Sequence, residues 1–300
     1  MRLGHFDMNL LLALDALLDT ESVTLAAQRL NMGQSAMSSA LGRLRDHFGD
    51  ELLAKSGRSL DLTPFAISLK GPVQDALIAV RQAVTVRQPF DPASAQRGFE
   101  IRASDYLVSS LLTKLMQQLA QEAPGINLSI ADLSDDLAEE VNRGKIDLVI
   151  GNEDYLVENH PREFLYRDES VAVVDSANPL VGSSVDLPTF LAMEHVAVRI
   201  GTAQTRQHEA WLLGGRELKR RIAVTVSRFN ALPQFIVGSH RIGMTHRRHA
   251  EWWSRHFPLR IVTLPFEVTP IGVHMQWNRN FDQDPAHAWL RDKIRGAIAG

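Results

Sequence analysis

Two sets of side chains in this 300-residue sequence have the types and spacing to do chemistry. The first lies in residues 21–45, ESVTLAAQRLNMGQSAMSSALGRLR, a stretch whose pattern divides into two short helices joined by a tight turn. Gln34, Ser35, Ser38 and Ser39 occupy the opening two turns of the second helix, and Arg43 and Arg45 stand at its end. Short amide and hydroxyl groups match base edges in the major groove of DNA, and guanidinium groups match its phosphates. Glutamine can pair bidentately with adenine, whereas serine serves several bases, so the DNA sequence read stays open. Thr24 on the first helix, and Lys55 and Arg58 in a basic Lys-Ser-Gly-Arg segment, complete the predicted DNA contacts. A merely solvated face of an amphipathic helix is the alternative for the same residues.

The second set is spread along the rest of the chain. Ser104 with Asp105, Gly151 with Asn152, Arg199 with Gly201 and Thr202, and Phe229 with Asn230 each follow an expected strand, while His274 and Trp277 lie on a returning one. In parallel α/β sheets ligands bind beyond the carboxyl ends of strands, where helix N-termini offer free amides. These groups are therefore expected to converge on a cleft for a small molecule. Each has a structural alternative: a helix cap for Ser104, a surface charge for Arg199, and ordinary core aromatics for Phe229 and Trp277.

Other chemistry finds no support. His246 and His249 sit i, i+3 on an expected helix, but a metal needs three or four ligands and no third is suitably spaced, so a solvated helix face is expected and no metal. The absence of cysteine excludes disulfides, thiolate zinc sites and iron–sulfur clusters. There is no Gly-x-Ser-x-Gly, phosphate loop or cysteine nucleophile, so neither an enzyme nor a cofactor is expected. The net charge of −3 argues against a protein that coats nucleic acid non-specifically, although Ser22 to Arg58 carries five basic residues against three acidic ones. No run of about 18 apolar residues could cross a membrane, and the leucine-rich N-terminus is interrupted by Asp15, so a cytoplasmic location is expected.

The elements that position these residues follow from periodicity. With 45% hydrophobic residues over this length, two or more domains with buried cores are expected. Leu10, Leu11, Leu14, Leu17 and Leu18 mark one face of a helix beginning near Asp7, a helix cap. With helices from Thr24 to Leu30 and Gln34 to Phe48 they predict a three-helix cluster of the helix-turn-helix kind. ELLAKSGRSLDLT, residues 51–63, reads as a hairpin with its basic residues at the tip, a wing beside the second helix of the motif. Pro64 opens a helix to about Arg87. Leu69, Val73, Ala76, Val80 and Ala83, widened by Leu77 and Val84, give it the spacing of a coiled-coil seam, locally disturbed by Gly71 and Pro72. QPFDPASA, residues 88–95, reads as a linker.

Beyond it, strands and helices alternate. Strands are expected at Gly98 to Ala103, Ile126 to Ala131, Asp147 to Ile150, Ala172 to Val174, Val196 to Arg199, Ala223 to Val226, Arg241 to Met244 and Ile271 to Trp277. The expected fold is thus an N-terminal all-α winged helix-turn-helix over 1–63, a dimerisation helix and hinge over 64–95, and a two-lobed α/β domain over 96–300. Lobe I is expected at about 96–167 and 266–300, and lobe II at about 168–265.

Residues 6 to 85 resemble the LysR-type transcriptional regulators, through NLLLALDALLDTESVTLAAQRLNMGQSAMSSALGRLRDHFGDELL followed by the wing and LTP. NLLLALDALL, GRLR and GPVQDAL are most similar to the subgroup of nodulation and naphthalene/salicylate regulators. The resemblance continues more loosely in FDP (Phe90 to Pro92), GKIDLVIG (Gly144 to Gly151) and AWL (Ala288 to Leu290). Two positions depart from it: Gly33 stands where the family usually has Ser or Thr, and Ser35 where it usually has Pro.

The resemblance implies a periplasmic-binding-protein-like effector domain sensing an aromatic acid, phenol or flavonoid-like compound. It makes Ser104 the holder of a ligand carboxylate, with Arg199 as countercharge. It also implies promoter DNA, a homodimer or homotetramer, and RNA polymerase as partners. The rival from another class is a solute-binding or catalytic α/β protein whose N-terminal helices only dimerise it.

Overall fold

The computed structural model describes residues 7–56, 59–85, 90–199, 213, 215 and 218–299. Arg58, Gly201 and Thr202 of the expected sites lie outside the described residues. The chain divides into two compact units, the first built on the N-terminal helices and the second on the α/β elements.

In the first unit, α1 (Asn9–Thr20) buries Leu10, Leu14, Leu17 and Leu18 along one stripe. Asp7 starts it, its carboxylate accepting the Asn9 amide at 3.0 Å. Glu21, in the left-handed region at φ 51°, ends it. Ser22 then caps α2 (Val23–Arg29) by accepting the Leu25 amide, and the small Ala26 and Ala27 are its buried residues, which lets helices cross closely. α3 (Gln34–Phe48) is capped by Gly33 and buries Met37, Ala40, Leu41 and Leu44. β1 (Leu53–Ser56) and β2 (Ser59–Leu62) pair antiparallel.

α4 (Pro64–Thr85) corrects the expected seam. Ala66, Val73 and Leu77 join the core formed by α1 and α3, with Leu69 packed against it, while Val80 remains 37% exposed. The first half of the stripe is therefore buried within its own chain. Pro72 lies inside the helix but on its exposed side, where its ring meets solvent.

The second unit contains two five-stranded sheets. Sheet I has the order β4-β3-β5-β12-β6, with β3 at Arg97–Ala103, β4 at Ile126–Ala131, β5 at Leu148–Gly151, β6 at Arg162–Asp168 and β12 at Ile271–Gln276. Sheet II has the order β11-β7-β10-β8-β9, with β7 at Ser170–Asp175, β8 at Glu194–Val198, β9 at Arg221–Val226, β10 at Ile242–His246 and β11 at Leu259–Val262. The sheets are mixed rather than purely parallel, because β12 and β7 run antiparallel to their neighbours. β6 and β11, both edge strands, are absent from the sequence expectation. β6 reads REFLYRD, too charged to resemble a buried strand, and β11 has only four residues.

A single residue, Glu169, joins β6 of sheet I to β7 of sheet II. The helical segments along this part of the chain are α5 (Asp105–Leu107), a π-helical turn (Val108–Leu112), α6 (Thr113–Glu122), α7 (Leu137–Asn142), α8 (Leu187–Ala192), α9 (Leu232–Ile236), α10 (Arg247–Ser254) and α11 (Pro285–Ala299); all but α7, most of which groups with the first unit, belong to the second. No helix among the described residues is long and apolar enough to cross a membrane.

Candidate DNA interface and ligand cleft

On α3 the burial of Met37, Ala40, Leu41 and Leu44 turns Gln34, Ser35, Ser38 and Ser39 outward, and all four are exposed. Thr24 and Lys55 are exposed as well. Arg43 is 56% exposed and reaches the Asp7 carboxylate at 2.9 Å. The Asn9 amide and then Arg43 hold that carboxyl below its ordinary range.

Arg45 departs from its expected role. Its Nε donates to the Glu51 carbonyl at 2.7 Å and its Nη2 to the Leu53 carbonyl at 2.9 Å, with the Glu51 carboxylate at 3.0 Å. The side chain thus ties α3 to β1 instead of standing free for phosphate. Removing it leaves the partly buried Leu53 carbonyl without a charged donor, a bond of roughly 1.5–3 kcal/mol, whereas the bond to the Glu51 carbonyl is exposed and contributes little. We expect Arg45→Ala to lower the unfolding free energy by about 2 kcal/mol in urea titration; an unchanged midpoint would refute the structural role.

The cleft forms where the sheet I strands meet segments of sheet II. Ser104 precedes α5 with extended backbone and makes no side-chain cap hydrogen bond. Asp105 is buried, and its Oδ2 accepts the Asn230 amide at 2.7 Å. Burial pushes its carboxyl above the ordinary value, opposed by amide bonds from Asn230 and Phe229. Asn230 Oδ1 in turn accepts from Ser109 Oγ at 3.1 Å and from His249 Nε2 at 3.0 Å. These bonds join the first helical turns after β3 to the segment after β9.

Ser104, Gly151, Asn152 and Phe229 line one cavity, which Tyr106, Tyr155, His246 and Val273 complete. A Cβ at Gly151 would meet Tyr155 at 3.4 Å and Leu133 at 3.7 Å, so this wall is closely lined by those two side chains. The inner free volume is about 30 Å³, enough for a water molecule and not for a ring. A wider vestibule of about 260 Å³ adjoins it, sharing Ser104, Leu133 and Tyr155 and adding Asp105, Asp132 and Arg228. Arg228 pairs with Asp132 across it at 2.5 Å.

Two expected cleft residues lie elsewhere, and a third, Arg199, is not among the residues lining either cavity. Ile271 and Val273 face the cavity, so strand alternation turns His274 away; its ring packs on Phe164 at 5.5 Å and its Nδ1 contacts the Gly272 carbonyl at 3.3 Å. Trp277 follows β12 and is buried under the Arg291 guanidinium of α11, 4.3 Å from its ring. Arg199 is exposed and extends the β8–β9 pairing through its amide, which donates to the Val226 carbonyl at 2.8 Å.

The histidines expected on a solvated face are buried: His246 ends β10 and His249 packs 4.0 Å from the Trp253 ring. Burial lowers the His249 pKa to about 3. Among the described residues no group of three or more His, Asp or Glu side chains is arranged to hold a metal.

Sequence reading missed a buried cluster beside the cavity. Tyr106 donates to Asp168 Oδ2 at 2.5 Å and its hydroxyl lies 3.2 Å from that of Tyr166. Burial drives the Tyr106 hydroxyl well above its ordinary pKa, moves Tyr166 to about 12, and raises the Asp168 carboxyl. The only signal available was Tyr106 itself, adjacent to Asp105, since Tyr166 and Asp168 lie on the unexpected strand β6.

The family model described as "Bacterial regulatory helix-turn-helix protein, lysR family" matches residues 8–66, and that described as "LysR substrate binding domain" matches 93–299. The chain is 38% identical over 294 residues to Nodulation protein D 2 of Rhizobium tropici, covering 98% of this chain and 93% of the relative. Among solved structures, a probable transcriptional regulator from Pseudomonas aeruginosa is 28% identical with a TM-score of 0.60, each chain being 98% covered. Full-length CbnR, solved in complex with its target DNA, shares the fold at 15% identity and a TM-score of 0.53, over 98% of this chain and 100% of that one.

Proposed function

Because the chain belongs to the LysR family of bacterial helix-turn-helix transcriptional regulators, with a DNA-binding domain and an effector-binding domain, we propose how its own residues divide the work. α3 enters the major groove of promoter DNA with Gln34, Ser35, Ser38 and Ser39 towards base edges, and Thr24, Arg43 and Lys55 towards the backbone. CbnR, solved on its target DNA, supports this placement by its shared fold. The exposed apolar residues of α4, Ile67 and Val80 among them, pair two chains so that their recognition helices address successive major grooves. Dimers or tetramers, a cytoplasmic location and contact with RNA polymerase complete the proposal.

The effector in this reading is an aromatic acid, phenol or flavonoid-like compound held between the two sheets. The observation that carries it is the cavity of Tyr106, Tyr155 and Phe229 around the uncommitted Ser104 hydroxyl at a helix start. Asp105 and Asp132 at the vestibule favour a ligand that brings phenolic donors over one that brings a second carboxylate. Because the inner space is too small for a ring, binding separates the sheets or moves Tyr155. The ligand shifts that equilibrium only by its greater affinity for the wider arrangement.

Salicylate, phenol and a hydroxyflavone, each titrated into the full chain during thermal unfolding, test the reading. A true effector at 100 times its dissociation constant adds roughly 2.7 kcal/mol to stability. Ser104→Ala and Phe229→Ala are expected to remove most of that gain. A gain that both variants retain would place the ligand elsewhere, and no gain with any compound would refute the aromatic class.

A further inference from the structure

A second concavity lies beside the strand that crosses between the sheets, and its chemistry differs from that of the cleft. Its free volume is about 510 Å³, within the range of about 300–1,000 Å³ for small-molecule sites. Lys114 of α6 and Arg167 of β6 contribute from one lobe, and Arg247 and Arg248 of α10 with Arg255 just beyond its end from the other. Five cations thus meet three carboxylates, in a chain whose net charge is −3.

Two of those carboxylates are already engaged. Glu169 pairs with Arg247 at 2.9 Å, and Asp168 is buried, with Oδ2 taking the Tyr106 hydroxyl and Oδ1 the amides of Glu169 and Arg248. Arg248 lies 4.1 Å over the Tyr166 ring. Lys114, Arg167 and Arg255 make no ion pair within the described residues. Uncommitted cations on two lobes around one concavity, with the indole of Trp252 in its wall, form an environment for an anion of metabolite size.

We propose that this groove binds a small ligand carrying two negative charges, as phosphate or paired carboxylates, which bridges the lobes and acts as a co-effector. Asp168 supplies the coupling. One of its oxygens holds Tyr106, a wall residue of the cleft, and the other accepts from the first turn of α10, whose arginines would grip the anion. A ligand that draws α10 towards Arg167 acts directly on the support of Tyr106.

Isothermal titration of the full chain with inorganic phosphate and, separately, with succinate tests this, each at an ionic strength matched with chloride. One saturable site is expected, weakened at least tenfold in the double variant Arg167→Gln/Arg255→Gln. Both arginines are exposed and unpaired within the described residues, so the variant should melt like the wild type. Arg221→Gln, an exposed arginine on the edge strand β9, is expected to leave the affinity unchanged. Tighter phosphate assigns a phosphorylated ligand and tighter succinate a dicarboxylate. No saturable binding of either, or equal affinity in the double variant, would overturn the proposal. No aromatic ligand enters this test, so its failure leaves the cleft reading standing.

Discussion

Lowering the pH from 7 to 5 is expected to cost the effector domain about 4 kcal/mol of stability, through two histidines that the fold holds neutral. His195 is buried with its Nε2 on the Phe190 carbonyl at 2.7 Å, and burial lowers its pKa from 6.5 to about 4. His249 is lowered from 6.5 to about 3. Between these values the unfolded chain binds protons that the native chain refuses, so stability falls as pH drops below 6.5. At pH 5 each histidine accounts for about 2 kcal/mol, at 1.36 kcal/mol per unit.

The raised carboxyls of Asp105 and Asp168 act in the opposite sense, because the native state protonates them first and gains stability as pH falls through their raised range. Their gain offsets part of the loss, so the figure of about 4 kcal/mol is the contribution of the two histidines alone. A drop of roughly 10 °C in the melting temperature is expected for a domain of this size. His249→Asn should halve the pH slope while retaining a donor towards Asn230. Proton uptake on unfolding close to zero at pH 5.5 would show that these histidines are not held neutral.

The second large effect concerns recognition. Gln34→Ala combined with Ser38→Ala removes two uncharged groups from the exposed face of α3. If both read bases, affinity for the specific operator should fall roughly 100-fold, since a good base contact discriminates by about 1–3 kcal/mol. Binding to scrambled DNA should stay within about twofold, with the same salt slope, because neither side chain neutralises a phosphate. Fluorescence anisotropy over a salt series separates the two terms. An unchanged ratio of specific to non-specific affinity would mean that another surface faces the groove. The melting temperature should hardly move, because neither residue is packed.

How legible these features were in the sequence depended on whether a pattern fixes a partner as well as a face. The leucines of α1 and the burial of Met37, Leu41 and Leu44 follow helical spacing, which states directly which side is inward. The α4 stripe has equally good spacing, but periodicity says only that it is covered; in the fold α1 covers Val73 and Leu77. Arg45 ends a helix as a phosphate-binding residue would, and only the path of residues 51–53 reveals its carbonyl partners.

Arg247 and Arg248 gave their helix a solvated look, yet its 3.6-residue period turns His249, Ala250 and Trp253 together into the core. In β12 the alternation was visible and its direction was not, so His274 was placed on the wrong side. The Tyr106–Asp168 bond joins residues 62 positions apart across a strand too charged to recognise, and no local pattern encodes it.

The single residue between β6 and β7 limits how the effector domain can respond to any ligand. With all peptide bonds trans, the Cα atoms of Asp168 and Ser170 can separate by no more than about 7 Å. Along this strand the two sheets cannot be drawn apart in translation; they can only turn about it, as pages turn about a spine. A molecule wedged into the cleft therefore does its work as torque, and the residues farthest from Glu169 travel the greatest distance.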